Sequence, residues 1–167
     1  MQIKEVVEKL ENNPEFKEWK KSHEKSYLAH LFKMIDDLNK DLWQVGYYNK
    51  DDTITTFIIA PDEIKIVPEE KVFKKTKKKV KRLDLNKVNV DIDKALKIAE
   101  DFQKEKCKGN DPQKIIVVLQ DIANNFIYNI TYITIAVNLL NMKIDATNGN
   151  MINYELTPLM QFTGKAS

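Results

Sequence analysis

The residues that could bind a metal ion or act as a nucleophile are His23, His30 and Cys107. The apolar periodicity predicts one helix through both histidines, and seven residues along a helix correspond to about 10 Å. One metal ion could not contact both side chains at that separation. Cys107 lies at the C-terminus of a predicted helix, where the helix dipole disfavours a thiolate, although Lys106 and Lys108 oppose that effect. We therefore predict no metal site and interpret the three residues as packing or surface residues.

Two pairs of adjacent aspartates are the next candidates for chemistry. On the predicted helix, Asp36 and Asp37 would point about 100° apart, so they could not act together as a carboxylate pair. Asp51 and Asp52 occupy a predicted turn, where aspartate is favoured for backbone reasons. The chain has 4 glycines, none of them clustered as in a phosphate-binding loop. The sequence thus gives no catalytic residue and no cofactor, and it favours a non-enzymatic protein without deciding the question.

The segment from Lys71 to Arg82 is strongly basic and contains no acidic residue. Lysines there could contact phosphates, but nucleic-acid surfaces usually add arginines or stacking aromatics, and this segment has only Arg82 and Phe73. A solvated edge strand or linker, or a site for an acidic protein, are the other interpretations, and the solvated segment is favoured. The residues that would bind nucleic acid are Lys74, Lys75, Lys77, Lys78, Lys79, Lys81 and Arg82.

The composition of the 167 residues is that of a globular protein, with 43% hydrophobic and 31% charged residues. The net charge of +2 gives no strong overall field for nucleic acid or a membrane. The single cysteine excludes an internal disulfide and fits a reducing compartment. No run approaches the roughly 20 apolar residues of a membrane helix, and the N-terminus does not read as a secretory signal. We therefore predict a cytoplasmic protein without a membrane partner.

In the N-terminal half, helices are predicted to precede a small antiparallel sheet. Ile3, Val6, Val7 and Leu10 form the stripe of a short first helix, and Asn13 can cap a second. The apolar spacing of that second helix continues to about Asp41. The strands that follow are Trp43–Tyr48, Thr53–Ala60 and Glu63–Val67, the last with Pro68 as its end or as an edge marker.

The C-terminal half repeats this order more clearly. A helix from Asp91 to Cys107 has an acidic N-terminus and a basic C-terminus, both of which suit the helix dipole. The dipeptide Asn148-Gly149 is a strong hairpin signal because it accepts positive φ angles. The predicted strands are Lys114–Gln120, Tyr128–Val137, Leu140–Ala146 and Met151–Leu156.

These elements predict an α+β fold, with two helix-on-antiparallel-sheet lobes after a short N-terminal helix. The shared order of elements suggests a duplication. The predicted organisation is an N-terminal lobe over residues 1–73, a basic connection over residues 74–90 and a C-terminal lobe over residues 91–167. Both faces of Tyr128–Val137 are partly apolar, so both need cover. The N-terminal helix, the other lobe or a second copy of the chain could provide it, and a homodimer is therefore one hypothesis.

The segment from Ile144 to Ile152 resembles the closing hairpin of PepSY domains, with an apolar–Asp–Ala sequence, turn residues, Gly and an apolar pair. The helix with Asp93, Ala95 and Ala99 is similar to the opening helix of that family. The resemblance covers about Asp91 to Leu156. It implies a non-catalytic role, because PepSY domains are associated with peptidase propeptides and bind or restrain partner proteins, usually outside the cytoplasm or at a membrane. The family offers no catalytic residues.

The function that these observations favour is a non-catalytic, cytoplasmic protein-binding or regulatory module with an unidentified protein partner. Nucleic-acid binding through the basic segment is an alternative that is not favoured. A small-ligand site or active site between helix and sheet is a third interpretation, because such a pocket needs no sequence motif.

Overall fold

The computed structural model describes residues 1–71 and 79–163, which form helices on one face of a single β-sheet. The helices are α1 (Ile3–Asn12), α2 (Pro14–Ser22), α3 (Ile92–Lys106) and the short α4 (Met160–Thr163), with a 3-10 turn at Leu85–Lys87. The strands are β1 (Tyr27–Ile35), β2 (Trp43–Tyr48), β3 (Thr53–Ile59), β4 (Ile64–Lys71), β5 (Pro112–Ile122), β6 (Asn125–Thr134), β7 (Asn138–Asp145) and β8 (Met151–Pro158).

All eight strands belong to one antiparallel sheet in the order β4-β3-β2-β1-β5-β6-β7-β8. The α+β class and the antiparallel sheet are therefore confirmed. Each half of the chain supplies four consecutive strands, and the halves join where Phe32 of β1 pairs with Val118 of β5. This pairing merges the two predicted sheets into one, because it satisfies the backbone groups along an edge that each half alone would expose.

The prediction that the second helix continues to about Asp41 is wrong. The helix ends at Ser22, where the ammonium group of Lys20 donates to the backbone oxygens of His23 and Ser26 at 3.3 and 2.5 Å and so turns the chain. Tyr27–Ile35 is a central strand that pairs with β2 and β5. Its apolar residues fit both the helical and the strand period, and pairing with distant strands decides between them.

Local signals elsewhere predict the structure well. Asp91 caps α3 by accepting the Lys94 amide at 2.8 Å, and Asn13 caps α2 by accepting the Glu15 amide at 2.8 Å. The hairpin between β7 and β8 contains Gly149 at φ +83°, as the Asn-Gly signal indicates. Pro68 lies inside β4, which continues to Lys71 at the edge of the sheet, so of the two predicted alternatives Pro68 marks an edge and does not end the strand.

The core lies between the helices and one face of the sheet. Phe16 of α2 packs against Tyr47 of β2 and Phe57 of β3, with ring centroids 5.1 and 5.2 Å apart. In the C-terminal half, the buried hydroxyl of Tyr128 donates to the Val90 oxygen at 2.7 Å and ties β6 to the segment before α3. The buried sheet residues on this face are Leu31, Trp43, Val45, Tyr47, Phe57, Ile59, Val117, Leu119, Tyr128, Ile130, Tyr132, Leu140, Met142 and Ile144.

Candidate binding face

The face of the sheet opposite the helices carries a second set of side chains, which we call the helix-free face. Successive residues of a strand point to opposite faces, so these residues alternate with the buried ones. Most of them are half-buried, shielded by their neighbours in the sheet, and Tyr48 and Ile127 are buried. The half-buried residues of this face include His30, Phe32, Met34, Gln44, Thr56, Ile58, Ile116, Val118, Gln120, Asn129, Thr131, Asn141 and Lys143.

Phe32 lies at the centre of the helix-free face. The strand register places it opposite Gln44 of β2 on one side and Val118 of β5 on the other. Met34 pairs with Ile116 in the next row along the same two strands. The result is an apolar centre at the junction between the two halves of the chain.

His30 lies beside Phe32, with its imidazole ring over the backbone of Gly46. A Cβ atom added to Gly46 would lie 2.2 Å from Cε1 of His30, so only glycine leaves room for the ring in this position. Burial lowers the pKa of His30 below its ordinary value, which favours the neutral imidazole. A neutral ring offers one donor and one acceptor to a ligand.

His30, Gln44 and Gln120 make no side-chain hydrogen bond within residues 1–71 and 79–163. Their polar groups surround the Phe32 ring on three adjacent strands, since His30 pairs with Gln120 and Gln44 pairs with Phe32. Apolar surface combined with polar groups that are open to solvent and can pair with a partner is typical of a protein interface. This arrangement suits recognition of a partner chain.

The part of the helix-free face formed by β6 and β7 has a polar, internally hydrogen-bonded group of side chains at its centre, between the apolar residues Ile127 and Ile133. The amide of Asn141 donates to the oxygens of Asn129 at 2.5 Å and of Thr131 at 2.8 Å. These groups already have partners, unlike those around Phe32. The helix-free face thus has an apolar centre with solvent-accessible polar groups beside it, and a flank whose polar groups are hydrogen-bonded to one another.

The two histidines do not lie on one helix, contrary to the prediction. His23 caps the C-terminus of α2, where it stacks on Trp19 at 4.5 Å and its Nε2 lies 2.7 Å from a carboxylate oxygen of Glu69. His30 lies on the helix-free face. Cys107 is buried at the C-cap of α3, and burial raises the pKa of its thiol, which disfavours the thiolate.

The predicted aspartate candidates have backbone roles. Asp36 lies in the turn after β1, not on a helix, and its Oδ1 accepts the amides of Leu38 and Asn39 at 3.0 and 2.8 Å. The hydrogen bonds from Asn39 and the Lys114 side chain outweigh partial burial and lower its pKa. Asp52 lies in the β2–β3 turn with φ +66°, as the turn prediction requires.

The basic segment is only partly described. Lys74, Lys75, Lys77 and Lys78 lie outside the described residues. Lys79 is exposed, Lys81 donates to Asn124 at 3.1 Å, and the Arg82 guanidinium lies 5.1 Å from the centre of the Tyr27 ring. Nucleic-acid binding by this segment therefore stays a prediction.

A cleft between α3 and the sheet occupies the place predicted for a ligand pocket. Its volume is about 490 Å³, with Leu96, Ile115 and Tyr132 among its apolar walls and Asp93 and Lys104 among its charged ones. Within the described part of the chain, no three His, Cys, Asp or Glu side chains are grouped as metal ligands. None of the described helices is both long and apolar enough to cross a membrane.

Comparison with known proteins gives a fold relationship. No protein family and no curated protein matches the chain. Among solved structures, the chain is similar to the crystal structure of a putative lipoprotein from Clostridium difficile 630, with a TM-score of 0.57 and 20% sequence identity. The similarity covers 85% of this chain and 90% of that chain, so nearly the whole fold is shared.

This comparison contradicts the predicted cytoplasmic location and the predicted cytoplasmic regulatory module. The protein that shares the fold is named a putative lipoprotein, a name that points away from the cytoplasm, and nothing supports a regulatory role. The prediction was wrong because it relied on the lack of a secretory pattern and on the single cysteine, and neither observation determines a compartment.

Sequence reasoning missed the helix-free face. His30, Phe32 and Met34 alternate with Leu31 and Lys33, and this alternation is a strand signal that the helical spacing obscured. Gly46 within an otherwise bulky strand was a second available signal, since glycine inside a strand often marks a close approach by another group.

Proposed function

We propose that this chain is an extracytoplasmic protein that binds a protein partner through the helix-free face of its sheet. The observation that carries the proposal is the group of His30, Gln44 and Gln120 side chains beside Phe32, which have no hydrogen-bond partner among the described residues. The location is supported by the fold similarity to the Clostridium difficile lipoprotein. A protein partner is supported by the combination of apolar and polar side chains on the helix-free face.

The dimensions of this face favour a protein over a small molecule. Neighbouring strands lie about 4.8 Å apart, so the five strands that are adjacent in the sheet order β3-β2-β1-β5-β6 span roughly 20 Å. Side chains stand side by side on these strands and offer a broad area of mixed apolar and polar groups around Phe32 rather than an enclosed cavity. A partner chain can cover such an area and also supply groups to pair with Gln44 and Gln120.

Site-specific photo-crosslinking in the native cells tests this proposal. The photoreactive amino acid p-benzoylphenylalanine would replace Gln44, at the centre of the face, and in a matched variant Lys97, an exposed residue of α3 on the opposite side. We expect a discrete crosslinked protein with the probe at Gln44 and none with the probe at Lys97. Mass spectrometry of the adduct identifies the partner.

The same cells also test the location. Fractionation is expected to place the chain and its adduct in the envelope or the secreted fraction. A chain found with cytoplasmic markers would contradict the location, and equal crosslinking from Gln44 and Lys97 would contradict the assigned surface.

We also propose that the two halves are duplicated PepSY-like units. This is supported by the order of elements, since each half has a helix followed by four antiparallel strands, and by the symmetric strand order around the β1–β5 pair. The resemblance implies binding or restraint of partner proteins outside the cytoplasm, which agrees with the proposed location. In an experimental structure, the halves should superpose about a two-fold axis between β1 and β5, and failure to superpose would contradict the duplication.

A further inference from the structure

The two edge strands of the sheet differ sharply in their protection against pairing with another strand. β4 carries Lys65, Glu69 and Lys71, contains Pro68, and has an irregular register with β3 between Ile54 and Thr56. Charges, proline and bulges are the usual features that stop an edge strand from pairing with another chain. The β4 edge is therefore well protected.

The other edge strand, β8, has fewer of these protective features. Its register with β7 is irregular between Lys143 and Ile144, where Ile152 has no partner, but it is regular from Asn153 to Pro158. Ile152, Tyr154 and Leu156 alternate along it and are 47%, 52% and 41% exposed. Glu155 is its one charged residue, and its proline, Pro158, lies at the C-terminal end of the strand. A strand of this length with an apolar exposed side is a template for antiparallel pairing.

We propose that two copies of this chain pair through β8 in a two-fold symmetric antiparallel arrangement centred on Tyr154. The eight-stranded sheet then continues into a sheet of sixteen strands. A two-fold interface requires that one surface be complementary to itself, and the β8 sequence meets this condition.

The register follows from the side chains on each face. With Tyr154 opposite Tyr154 of the second copy, the two tyrosine side chains meet on the helix side of the sheet, because Tyr154 pairs with the buried Met142 of β7. Leu156 pairs with the buried Leu140 and adds apolar surface on the same side. On the other side, Asn153 lies opposite Glu155, and its amide can donate to the carboxylate. Centring the pair on Glu155 instead would place two carboxylates opposite each other, which is unfavourable.

Packing within each copy holds the side chain of the central residue, Tyr154, in place. The Tyr154 ring contacts Phe102 of α3 edge-to-face, with ring centroids 4.7 Å apart. This contact holds the tyrosine on the helix side of β8, so less side-chain freedom is lost on pairing. The same contact places the apolar flank of α3 beside the interface.

Cysteine crosslinking measures both the pairing and its register. In the proposed dimer, residue 154 of one copy lies opposite residue 154 of the other. Tyr154→Cys is therefore expected to form an intermolecular disulfide under mild oxidation. Asn153→Cys alone faces Glu155 and should not crosslink, whereas Asn153→Cys with Glu155→Cys should. Ile66→Cys, a residue of similar exposure (40%) on β4, is the matched control, and the wild-type chain shows that buried Cys107 does not contribute.

Sedimentation of the wild-type chain provides the second measurement. We expect a dimer at about 0.1 mM and a monomer for Tyr154→Lys, which would bring two ammonium groups together, while Ile66→Lys stays dimeric. Circular dichroism confirms that each variant is folded. A wild-type monomer at that concentration, or a dimer in which Tyr154→Cys crosslinks no better than Ile66→Cys, would overturn the proposal. These residues are separate from the Phe32 region, so this result is independent of the proposed function.

Discussion

The imidazole of His30 occupies the space over Gly46 that any other residue at position 46 would fill with its Cβ atom, at 2.2 Å from Cε1 of the ring. The two residues are paired on adjacent strands, β1 and β2, in the middle of the sheet. The absence of a side chain at Gly46 therefore allows the His30 ring to be buried, and this burial lowers the pKa of His30.

Gly46→Ala is expected to displace the His30 ring without unfolding the protein. The ring is the end of a side chain and can rotate away, and replacement of a strand glycine recovers about 0.5–1 kcal/mol, so the net change in stability should be within about 1 kcal/mol. The displaced ring is more exposed, and its pKa should rise toward its ordinary value.

An NMR titration of the imidazole protons measures this rise. Gln44→Ala is the control, because Gln44 lies on the same strand and face but pairs with Phe32. An unchanged His30 pKa in Gly46→Ala would show that the ring does not rest on the glycine.

The same histidine predicts a pH dependence of stability. Burial places the folded-state pKa of His30 below the ordinary value of 6.5, so the unfolded chain binds the proton first as the pH falls. Stability should therefore decrease as the pH falls from about 6.5 to the folded-state pKa. Urea unfolding of the wild type and of His30→Gln at about pH 7.5 and about pH 5.5 measures it. The wild type should lose more stability than the variant, and parallel losses would refute the assignment.

The Tyr128 hydroxyl is expected to contribute measurably to stability. Tyr128→Phe removes its hydrogen bond and leaves the Val90 oxygen without that donor in a buried position, at a cost of about 1–2 kcal/mol. Tyr132→Phe is the matched control, because Tyr132 is equally buried in the same strand but its hydroxyl makes no hydrogen bond in the described part of the chain. Urea unfolding compares the two, and equal losses would mean that the Tyr128 bond adds nothing.

Much of the fold could be predicted because local signals determine it. Asp91 and the Asn148-Gly149 turn act within a few residues of themselves, and the helix and strands beside them were predicted close to their bounds. β1 could not be predicted in this way, since its conformation depends on pairing with β5, far along the chain. The candidate site was missed for the same reason, because Phe32 acquires its neighbours Gln44 and Val118 only when the sheet forms.

The most direct test of the binding face is the crosslink from position 44 measured with and without Phe32→Glu. The substitution places a carboxylate at the apolar centre while β1 keeps its buried residue Leu31. We expect the adduct to fall at least about tenfold, which corresponds to about 1.4 kcal/mol of binding free energy, while circular dichroism shows a folded protein. An undiminished adduct in the folded variant would contradict the claim that a partner binds over Phe32.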